Sequence, residues 1–548
     1  MGQGKKDESQ NPEEERAAAD LRATAVKAFE SLSGVEFTDA QRAEAAEAVL
    51  RQRRQFHALR QLDIGCDVEP PLHFSPRRQK TATESPPFQL SSAAPVAPPT
   101  DDDELAFLPL TDLARLIESR QISPVELTKL YLERCTTYGP ALRCIVTPTA
   151  DLALEQAQKA EDEILRGEYS GPLHGMPWGA KDLLATRGIP TTWGATPYAG
   201  RIIDTDAAVV ERLRRAGAVL VAKLSLGALA SGPHWFGGMT RNPWKSDEGS
   251  SGSSAGPGAA TAAGLVGFSI GSETCGSIVS PSHVCGVVGL RPTYGRVSRY
   301  GAMALSWTMD KLGPMCRGVE DCAAVFAAIH GADERDPSAV ELAFDWQMRE
   351  DLKGVKIGWL ETAFAETDDS EQKLYAEVRD VLTSLGAEIG AVELPDYPDD
   401  AIDLILGVEA AAVYDAPTRG GDLDIMTEKD KSSWPRTFRA ARMVPAVEYL
   451  RAQQARTLLM QSMAETMAPW HALVGPATDS RTTRQTNLTG HPALVLPCGF
   501  VEDTPRGLGF IGHLDDEAHL LALARTYEQA TDWHRRHPDL SGLSEQGT

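Results

Sequence analysis

Apolar positions divide the chain into a helical N-terminal stretch and a longer part in which helices and strands alternate. Over residues 12–62 apolar side chains recur at helical spacing among Glu, Arg and Ala. Gly34 is expected to end the first helix, and Thr38 with Gln41 forms the capping-box pattern that opens the next. The pattern predicts a small helical arm at 1–66. Its expected role is packing or dimerisation, with substrate gating as the alternative.

The rest of the chain predicts a linker and then a large α/β domain. Residues 67–104 are rich in Pro, Ser and Ala, which is typical of a semi-extended linker without its own core. Further along, a helical pattern at 209–216 ends at a glycine and is followed by the apolar strand 218–222. The same helix–glycine pattern recurs at 378–386. This alternation predicts a catalytic domain at 105–540, built as a β-sheet with helices on both faces.

Composition and charge narrow the classes of partner. The chain is 42% hydrophobic, as expected of a globular protein with a sizeable core. It carries 54 Lys and Arg against 77 Asp and Glu, for a formal net charge of −23. Such an acidic surface repels phosphate backbones, so we expect no direct nucleic-acid partner.

Cysteine spacing and the lack of long apolar segments predict a soluble, cytoplasmic protein. The eight cysteines are spread singly, without a CxxC pair, which favours reduced thiols. The opening residues MGQGKKDESQ lack the apolar segment of a secretory signal. The apolar run 259–270 is too short and too glycine-rich to span a bilayer, so no membrane partner is expected.

Two clusters rich in Ser and Gly, at 249–258 and 271–280, carry the candidate chemistry. A flexible linker would be polar throughout, whereas these clusters are joined by an apolar segment. A phosphate-binding loop would show GxxxxGK[ST] or GxGxxG opening a helix, and neither pattern is present here. We therefore interpret the glycines as positions where the backbone approaches a substrate and its N–H groups point at it.

The serines in these clusters lack the usual histidine partner. No GxSxG elbow surrounds Ser277. The twelve histidines form no HExxH or other metal-binding spacing, so neither a metal nor another cofactor is expected. A serine nucleophile without histidine suggests a lysine base. His174 and His283 are nearest in sequence, and we expect local packing or hydrogen bonding from them rather than substrate contact.

Several ordered blocks then carry a specific resemblance. Over about 105–540 the chain resembles the amidase signature family, whose fold is a mixed central β-sheet covered by helices on both faces. Ser277 lies 24 residues after Ser253, as the family pattern requires. The matching blocks are Gly171–Asp182, Gly252–Gly256, Gly271–Ile278, Cys285–Ser298, Asp310–Pro314, Gly490–Ala493 and Leu496–Gly499.

Carried over residue by residue, the resemblance implies a catalytic triad. Ser277 would be the nucleophile of an acyl-enzyme, and Ser253 would hold a cis peptide and relay a proton. Lys181 would be the base, acting as a neutral amine. Four consecutive backbone N–H groups would form the oxyanion hole, those of Thr274, Cys275, Gly276 and Ser277.

The implied roles make physical demands. A free lysine titrates near pKa ~10.4, whereas a base that works at neutral pH needs about 7–8, so Lys181 should be buried. Taken alone, the same lysine would be interpreted as a surface residue. Three positions depart from the family pattern, and one of them is Pro257, which follows Gly256. Cys275 replaces a common glycine and would be strained at positive φ, or would otherwise line the pocket. Glu273 replaces the usual aspartate.

Aromatic residues near the blocks are candidates for substrate binding. The segment 231–244 precedes the serine clusters, where the family has a variable loop that shapes the acyl pocket. Trp235, Phe236 and Met239 in this segment, with Trp178 before the lysine, could line an apolar pocket. Plain packing is the alternative for all four. An apolar pocket favours a neutral carboxamide, anilide or carbamate.

These observations predict an amidase that hydrolyses the C–N bond of a small neutral carboxamide. One alternative is the glutaminase (A) subunit of a tRNA-dependent amidotransferase, with which the block 296–301 is shared. The added N-terminal residues argue against it. An esterase or carbamate hydrolase of the same family is another alternative, and a catalytically inactive scaffold is a third. The expected partners are a small-molecule amide and, through the helical arm, a second copy of the chain.

Overall fold

Alternating helical and apolar strand patterns fold into a single mixed sheet and a separate helical unit. The computed structural model describes residues 24–31, 33–64, 71, 74–77, 85–91, 97–427 and 434–543. Three predictions therefore lie partly or wholly outside the described residues. They concern the N-terminal segment, the helical pattern over 12–23, and part of the 67–104 linker.

The chain separates into two compact units whose limits differ from the predicted ones. The first unit combines the residues before 71 with described residues of 398–425 and 429–455. The second contains residues 71–397, 426–428 and 456 onward. Part of the predicted catalytic domain thus packs with the N-terminal helices. Such a pairing depends on long-range contacts that local periodicity does not encode.

The first unit is helical. The predicted capping box is present, because Thr38 Oγ1 accepts from the backbone N–H of Gln41 while the Gln41 side chain accepts from Thr38 N. Gly34 ends the preceding helix at positive φ, 67°. The helices of this unit are Asp39–Gln61, Asp399–Ile402, Leu404–Val413, Asp415–Gly420, Trp434–Ala441 and the first part of Ala446–Met467, with a 3-10 turn at Asp422–Ile425.

The apolar side of the N-terminal arm is covered within its own unit. Val26, Val35, Phe37 and Ala46 form a buried cluster against which Met443 packs. Removal of these side chains from water supplies the stabilisation that short helices need, since propensity alone is marginal.

The second unit is built on an eleven-stranded sheet. Its strands are β1 (Ile145–Pro148), β2 (Pro177–Lys181), β3 (Val219–Leu224), β8 (Phe268–Glu273), β9 (Val288–Arg291), β10 (Lys311–Cys316), β11 (Lys356–Leu360), β12 (Glu388–Val392), β13 (Ala472–Pro476), β14 (Ala493–Val501) and β15 (Thr504–Ile511). Two small hairpins supply the strands between β3 and β8. They are β4 with β5 (His234–Trp235 and Gly238–Met239) and β6 with β7 (Arg241–Asn242 and Lys245–Gly249). The order in the large sheet is β1-β3-β2-β8-β10-β9-β14-β15-β13-β11-β12.

Strand directions confirm the mixed sheet that the family resemblance implies. At one end β3, β2 and β8 run parallel, and β8 then pairs antiparallel with β10. At the other end β13, β11 and β12 are again parallel. Parallel neighbours need crossover helices, which accounts for the helix–strand alternation in the sequence.

Helices flank this sheet. They are Asp102–Phe107, Leu110–Glu118, Pro124–Leu142, Ala150–Leu165, Ala208–Arg215, Ala255–Ala262, Val279–Cys285, Val319–Ile329, Glu361–Ala365, Asp369–Ser384, Ser480–Thr489 and Glu517–Gln529, with 3-10 turns at Thr196–Tyr198, Ala228–Ala230 and Trp533–Arg535. One buried cluster joins side chains of β3 to the helix Ala255–Ala262, whose small residues allow close approach to the sheet. Within the described ranges, no helix has both the length and the apolar character needed to cross a bilayer.

Candidate active site

Lys181 lies at the end of β2 with no exposed surface. Its Nζ lies 2.9 Å from Ser253 Oγ and 2.8 Å from Ser254 Oγ. The same Nζ is 2.8 Å from Ser272 Oγ and donates to the Ser272 carbonyl at 3.3 Å. The structure thus places the lysine in a dry cluster of serine hydroxyls, as the burial argument predicts.

Burial sets the protonation state of this lysine. Desolvation lowers the pKa of Lys181 well below its usual 10.5, and the charges of Glu273 and Asp310 oppose the shift without cancelling it. The lowered pKa means that the amine is neutral, and can accept a proton, at lower pH than an exposed lysine.

Ser253 and Ser254 precede the helix Ala255–Ala262, and the Gly252–Ser253 peptide bond is cis. A side chain at Gly252 would meet backbone, because an added Cβ would lie 2.0 Å from the Gly232 carbonyl oxygen. Only glycine fits this close approach. The packing of Gly252 therefore fixes where the neighbouring serine stands.

Ser277 lies on the turn that leaves β8 and enters the helix Val279–Cys285, and it is half-buried. Its carbonyl accepts a hydrogen bond from the backbone N–H of Ser254 at 3.2 Å. This bond joins the two serine-rich segments, so that the turn bearing Ser277 is held against the segment bearing Ser253.

The buried carboxylate of Glu273 anchors the same turn. Its Oε2 accepts from the backbone N–H groups of Ile278 at 2.7 Å and Val279 at 2.9 Å. Its Oε1 accepts from Arg291 Nη1 and from Asn487 Nδ2, each at 2.8 Å. Glu273 precedes residues 274–277, the predicted oxyanion turn, and its side chain binds the two amides that follow them. The two ends of the turn are therefore held together by this residue.

Glu273 is held as an anion. Burial alone would raise the pKa of this carboxyl. The charges of Arg291 and Lys311, with the hydrogen bonds from Val279 N and Arg291, outweigh burial and lower the pKa to about 2. Glu273, which replaces the usual aspartate, thus still provides a charged carboxylate whose two oxygens are both hydrogen-bonded.

The positive φ in the turn falls on Gly276, at 92°, and not on Cys275. A cysteine at position 275 therefore carries no left-handed backbone strain. The sequence left two possibilities for Cys275, a strained backbone or a side chain that lines the pocket. The backbone angles exclude the first. Cys275 remains only partly buried.

Sequence reasoning missed two of the lysine's partners, Ser254 and Ser272. Ser254 Oγ accepts from Ser272 N at 3.1 Å and donates to the Ser272 carbonyl at 3.0 Å, so it ties β8 to the lysine cluster. The Ser-Ser doublet was the available signal for Ser254. Ser272 had no local signal, because only the pairing of β2 with β8 brings it to Lys181.

A buried ion pair stands beside the cluster and was also missed. Lys223 Nζ lies 2.8 Å from Asp182 Oδ1, and neither side chain is exposed. Lys223 also donates to Thr191 Oγ1 at 2.9 Å, and Asp182 Oδ2 accepts from Thr192 N at 2.9 Å. These contacts fix the chain that follows Lys181.

A cavity of about 260 Å³ lies beside these residues. Ser272 and Thr274, on either side of Glu273, contribute to its wall. The remaining lining is a mixture of apolar and charged side chains, including Leu183, Met303, Leu305, Leu312, Arg299, Trp307, Asp310, Lys311, Arg335 and Asp336.

The aromatic residues predicted to bind substrate do not line this cavity. Trp178 is buried in β2 and stacks on Phe268, with ring centroids 6.0 Å apart, so its contacts are those of a core residue. Trp235 Nε1 donates to the Arg143 carbonyl at 3.1 Å, and its ring meets Phe236 edge-on at 4.8 Å. Met239 belongs to the same hairpin and is partly buried.

The two histidines considered from sequence make local contacts. His174 Nδ1 accepts from Ser170 N at 3.1 Å, and its Nε2 lies 3.0 Å from Glu163. His283 Nδ1 accepts from Gly507 N at 2.8 Å, and burial lowers its pKa to about 4. Within the described ranges, no three His, Cys, Asp or Glu side chains are grouped as metal ligands.

The family model described as Amidase matches residues 126–521, well over half of the chain. The chain belongs to the amidase signature family. As a member it is an amidohydrolase that acts on linear amides.

Two curated relatives of this amidase are similar over nearly their whole length. One is the A subunit of glutamyl-tRNA(Gln) amidotransferase from Moorella thermoacetica. It is 35% identical over 486 residues, which cover 80% of this chain and 99% of the relative. The protein of the same name from a Roseiflexus strain is 33% identical over 479 residues, covering 79% and 98%.

Solved structures give similar agreement. The peptide amidase of Stenotrophomonas maltophilia is 31% identical, with a TM-score of 0.71 over 79% of this amidase and 98% of that chain. An amidase family protein of Bacillus anthracis is 25% identical, with a TM-score of 0.72 over 80% and 94%.

Proposed function

We propose that this amidase hydrolyses the C–N bond of a small neutral carboxamide through an acyl-enzyme on Ser277. The observation that carries the proposal is the position of Lys181. Its buried amine has a lowered pKa and lies 2.9 Å from Ser253 Oγ. The segment bearing Ser253 is hydrogen-bonded in turn to Ser277 through Ser254 N.

In the first half-reaction, neutral Lys181 accepts the proton of Ser253 as Ser253 accepts that of Ser277. The Ser277 oxygen attacks the amide carbonyl carbon, forming a C–O bond and a tetrahedral oxyanion. Backbone N–H groups of residues 274–277 stabilise that oxyanion, each contributing on the order of 3 kcal/mol. Collapse breaks the C–N bond, and the proton returns through Ser253 to the leaving nitrogen.

The second half-reaction reverses these proton movements. Water gives a proton to the Ser253–Lys181 relay while its oxygen attacks the ester carbonyl of the acyl-enzyme. The C–O bond to Ser277 breaks, the serine regains its proton, and a carboxylic acid leaves. The products are thus ammonia or an amine and an acid, with the enzyme restored.

The cavity supports a small substrate without a large net charge. Its volume of about 260 Å³ suits a compact acyl group, and Leu183, Met303 and Leu305 give it apolar walls. We therefore place the acyl group in this cavity. That Trp235, Phe236 and Met239 line an apolar acyl pocket stays a separate prediction.

The second candidate function is the glutaminase subunit of a tRNA-dependent amidotransferase. It is favoured by the curated relatives that bear the amidotransferase name, one of which matches over 99% of its length. In that role, glutamine would be the ammonia donor and a partner subunit would hold the tRNA. The solved amidase structures support the stand-alone amidase instead.

A substrate panel tests the proposal. The purified full chain is assayed for ammonia or amine release from aliphatic and aromatic amides, anilides, esters, carbamates and glutamine. Turnover of simple carboxamides by wild type, and its loss in Ser277→Ala, is the expected result. Preference for esters or carbamates would show that the protein is an esterase or carbamate hydrolase of the same family, and not an amidase for small carboxamides.

Dependence on partner subunits distinguishes the glutaminase role from the stand-alone amidase. Glutamine hydrolysis that appears only after addition of the other amidotransferase subunits would favour the glutaminase role over the stand-alone amidase. Absence of turnover on every substrate, with unchanged behaviour of Ser277→Ala, would leave the inactive scaffold as the better description.

A further inference from the structure

Lys311 is a second buried lysine, and it lines the cavity beside the serine cluster. It is the first residue of β10, is 2% exposed, and pairs in register with Glu273 at the end of β8. Ser272 and Thr274 flank Glu273 and line the same cavity. Lys311 therefore shares a wall of the cavity with Ser272, the residue whose hydroxyl binds Lys181.

The hydrogen-bonding capacity of Lys311 is largely unused. Its Nζ donates to the Met309 carbonyl, and among the residues that the structure describes it has no further hydrogen bond and no ion pair. A lysine carries two N–H donors when neutral and three when charged. At least one donor thus remains for a group that enters the cavity, and leaving it unpaired is unfavourable in a buried site.

The neighbouring carboxylates are engaged elsewhere. Glu273 is paired with Arg291 and binds the first amides of the following helix. Asp310 accepts from Thr274 Oγ1 at 2.6 Å and from two backbone N–H groups. In the part of the chain that the structure describes, neither carboxylate hydrogen-bonds or ion-pairs with Lys311, and each raises its pKa through its charge.

The arginines of the cavity differ from Lys311 in this respect. Arg299 Nε lies 3.3 Å from Asp336 Oδ2, and its Nη2 donates to Ser338 Oγ at 2.8 Å. Arg335 Nη2 lies 2.9 Å from Glu211 Oε2, within a network that also holds Asp333. Both guanidinium groups are thus neutralised by protein carboxylates.

We infer that Lys311 is a specificity-determining residue that donates a hydrogen bond to an oxygen carried by the acyl group of the substrate. The preferred amides would bear a carboxylate or carbonyl oxygen several bonds from the scissile carbonyl, in place of a plain hydrocarbon chain. The carboxamide group that is cut stays neutral, and the inference adds to the proposed substrate class acyl groups with one negative charge. This inference rests on the proposed amide hydrolysis and on the acyl group occupying this cavity.

The protonation of Lys311 is compatible with both kinds of oxygen. Burial and the nearby charge of Arg291 lower its pKa to about 7, against the opposing charges of Glu273 and Asp310. Both forms of the amine keep N–H donors near neutral pH. A bound carboxylate would favour the charged form, and a carbonyl would accept from either.

A matched series of amides tests the inference. Pentanamide, 4-oxopentanamide and succinamate have similar lengths but present a hydrocarbon, a ketone and a carboxylate. The expected wild-type kcat/KM is at least about tenfold higher for the two oxygen-bearing amides than for pentanamide. In Lys311→Met these ratios should fall by about 10- to 100-fold, as expected for loss of a hydrogen bond to a charged group.

Two further variants complete the design. Lys353→Met removes an exposed lysine and should keep the wild-type ratios, while Lys311→Gln keeps a neutral donor and should retain preference for the ketone over pentanamide. Thermal melting checks that each variant folds. If Lys311→Met does not fold, the substrate ratios of wild type and of Lys311→Gln test the inference without it. Equal ratios in wild type and Lys311→Met, or wild-type preference for pentanamide, would overturn the inference. Failure of all amides would instead refute the proposed hydrolysis.

Discussion

The carboxylate of Glu273 lies 2.8 Å from the guanidinium of Arg291, and neither side chain is exposed. Glu273 uses its other oxygen to bind the amides of Ile278 and Val279, directly after Ser277. Arg291, at the end of β9, also donates to the carbonyl of His491 at 2.9 Å. The pair therefore couples the turn bearing the proposed nucleophile to the middle of the sheet.

Removal of one partner from this pair should destabilise the protein strongly. Arg291→Met would leave the buried Glu273 carboxylate without its cation, at an expected loss of about 3–5 kcal/mol in the free energy of unfolding. Chemical denaturation measures this loss. The double variant Glu273→Gln with Arg291→Met should recover part of it. A double variant whose loss equals or exceeds the sum of the single losses would contradict the pairing.

The pH dependence of activity should report the lowered pKa of Lys181. Because only the neutral amine accepts a proton, kcat/KM should rise as pH increases through a pKa well below 10.5. Lys181→Ala should be nearly inactive, and alkaline pH should not fully restore it. Lys353→Met, at an exposed lysine, should keep the wild-type profile. An ascending limb centred near 10.5 would show that Lys181 is not the titrating base.

Glycine at 252 should be required for activity. An added Cβ would lie 2.0 Å from the Gly232 carbonyl oxygen, so Gly252→Ala must displace the backbone next to Ser253. A displacement of about 1 Å at a reacting group costs on the order of 100-fold in rate, and we expect at least that loss in kcat.

Gly200→Ala provides the matched control, because nothing lies within 4 Å of the Cβ that it would add. This variant should keep wild-type kcat and melting temperature. Near-wild-type kcat in Gly252→Ala would show that the position of Ser253 tolerates movement, and would weaken its proposed role as a relay.

Local features of the fold were predictable from sequence because their causes are local. Thr38 with Gln41 was predicted to form the capping box that opens a helix, and this box is present. Gly34 ends its helix as expected. Burial of Lys181 was also predictable, because its implied chemistry demands a dry site.

Features that depend on the order of strands in the sheet could not be predicted from the sequence, because they join residues that are far apart in the chain. Ser272 reaches Lys181 only because β2 pairs with β8, and Lys223 reaches Asp182 across the β2–β3 pair. Trp178 stacks on Phe268, a contact that fits the packing alternative, since an aromatic residue in a buried strand packs in the core as readily as it lines a pocket. Its role in substrate binding stays a prediction.

Covalent labelling tests the central claim most directly. The full chain is treated with a fluorophosphonate, and the adduct is located by intact-mass and peptide mass spectrometry. The account predicts one adduct, on the peptide containing Ser277, with no labelling of Ser277→Ala and much slower labelling of Lys181→Ala. An adduct on another residue, or undiminished labelling of Ser277→Ala, would contradict it.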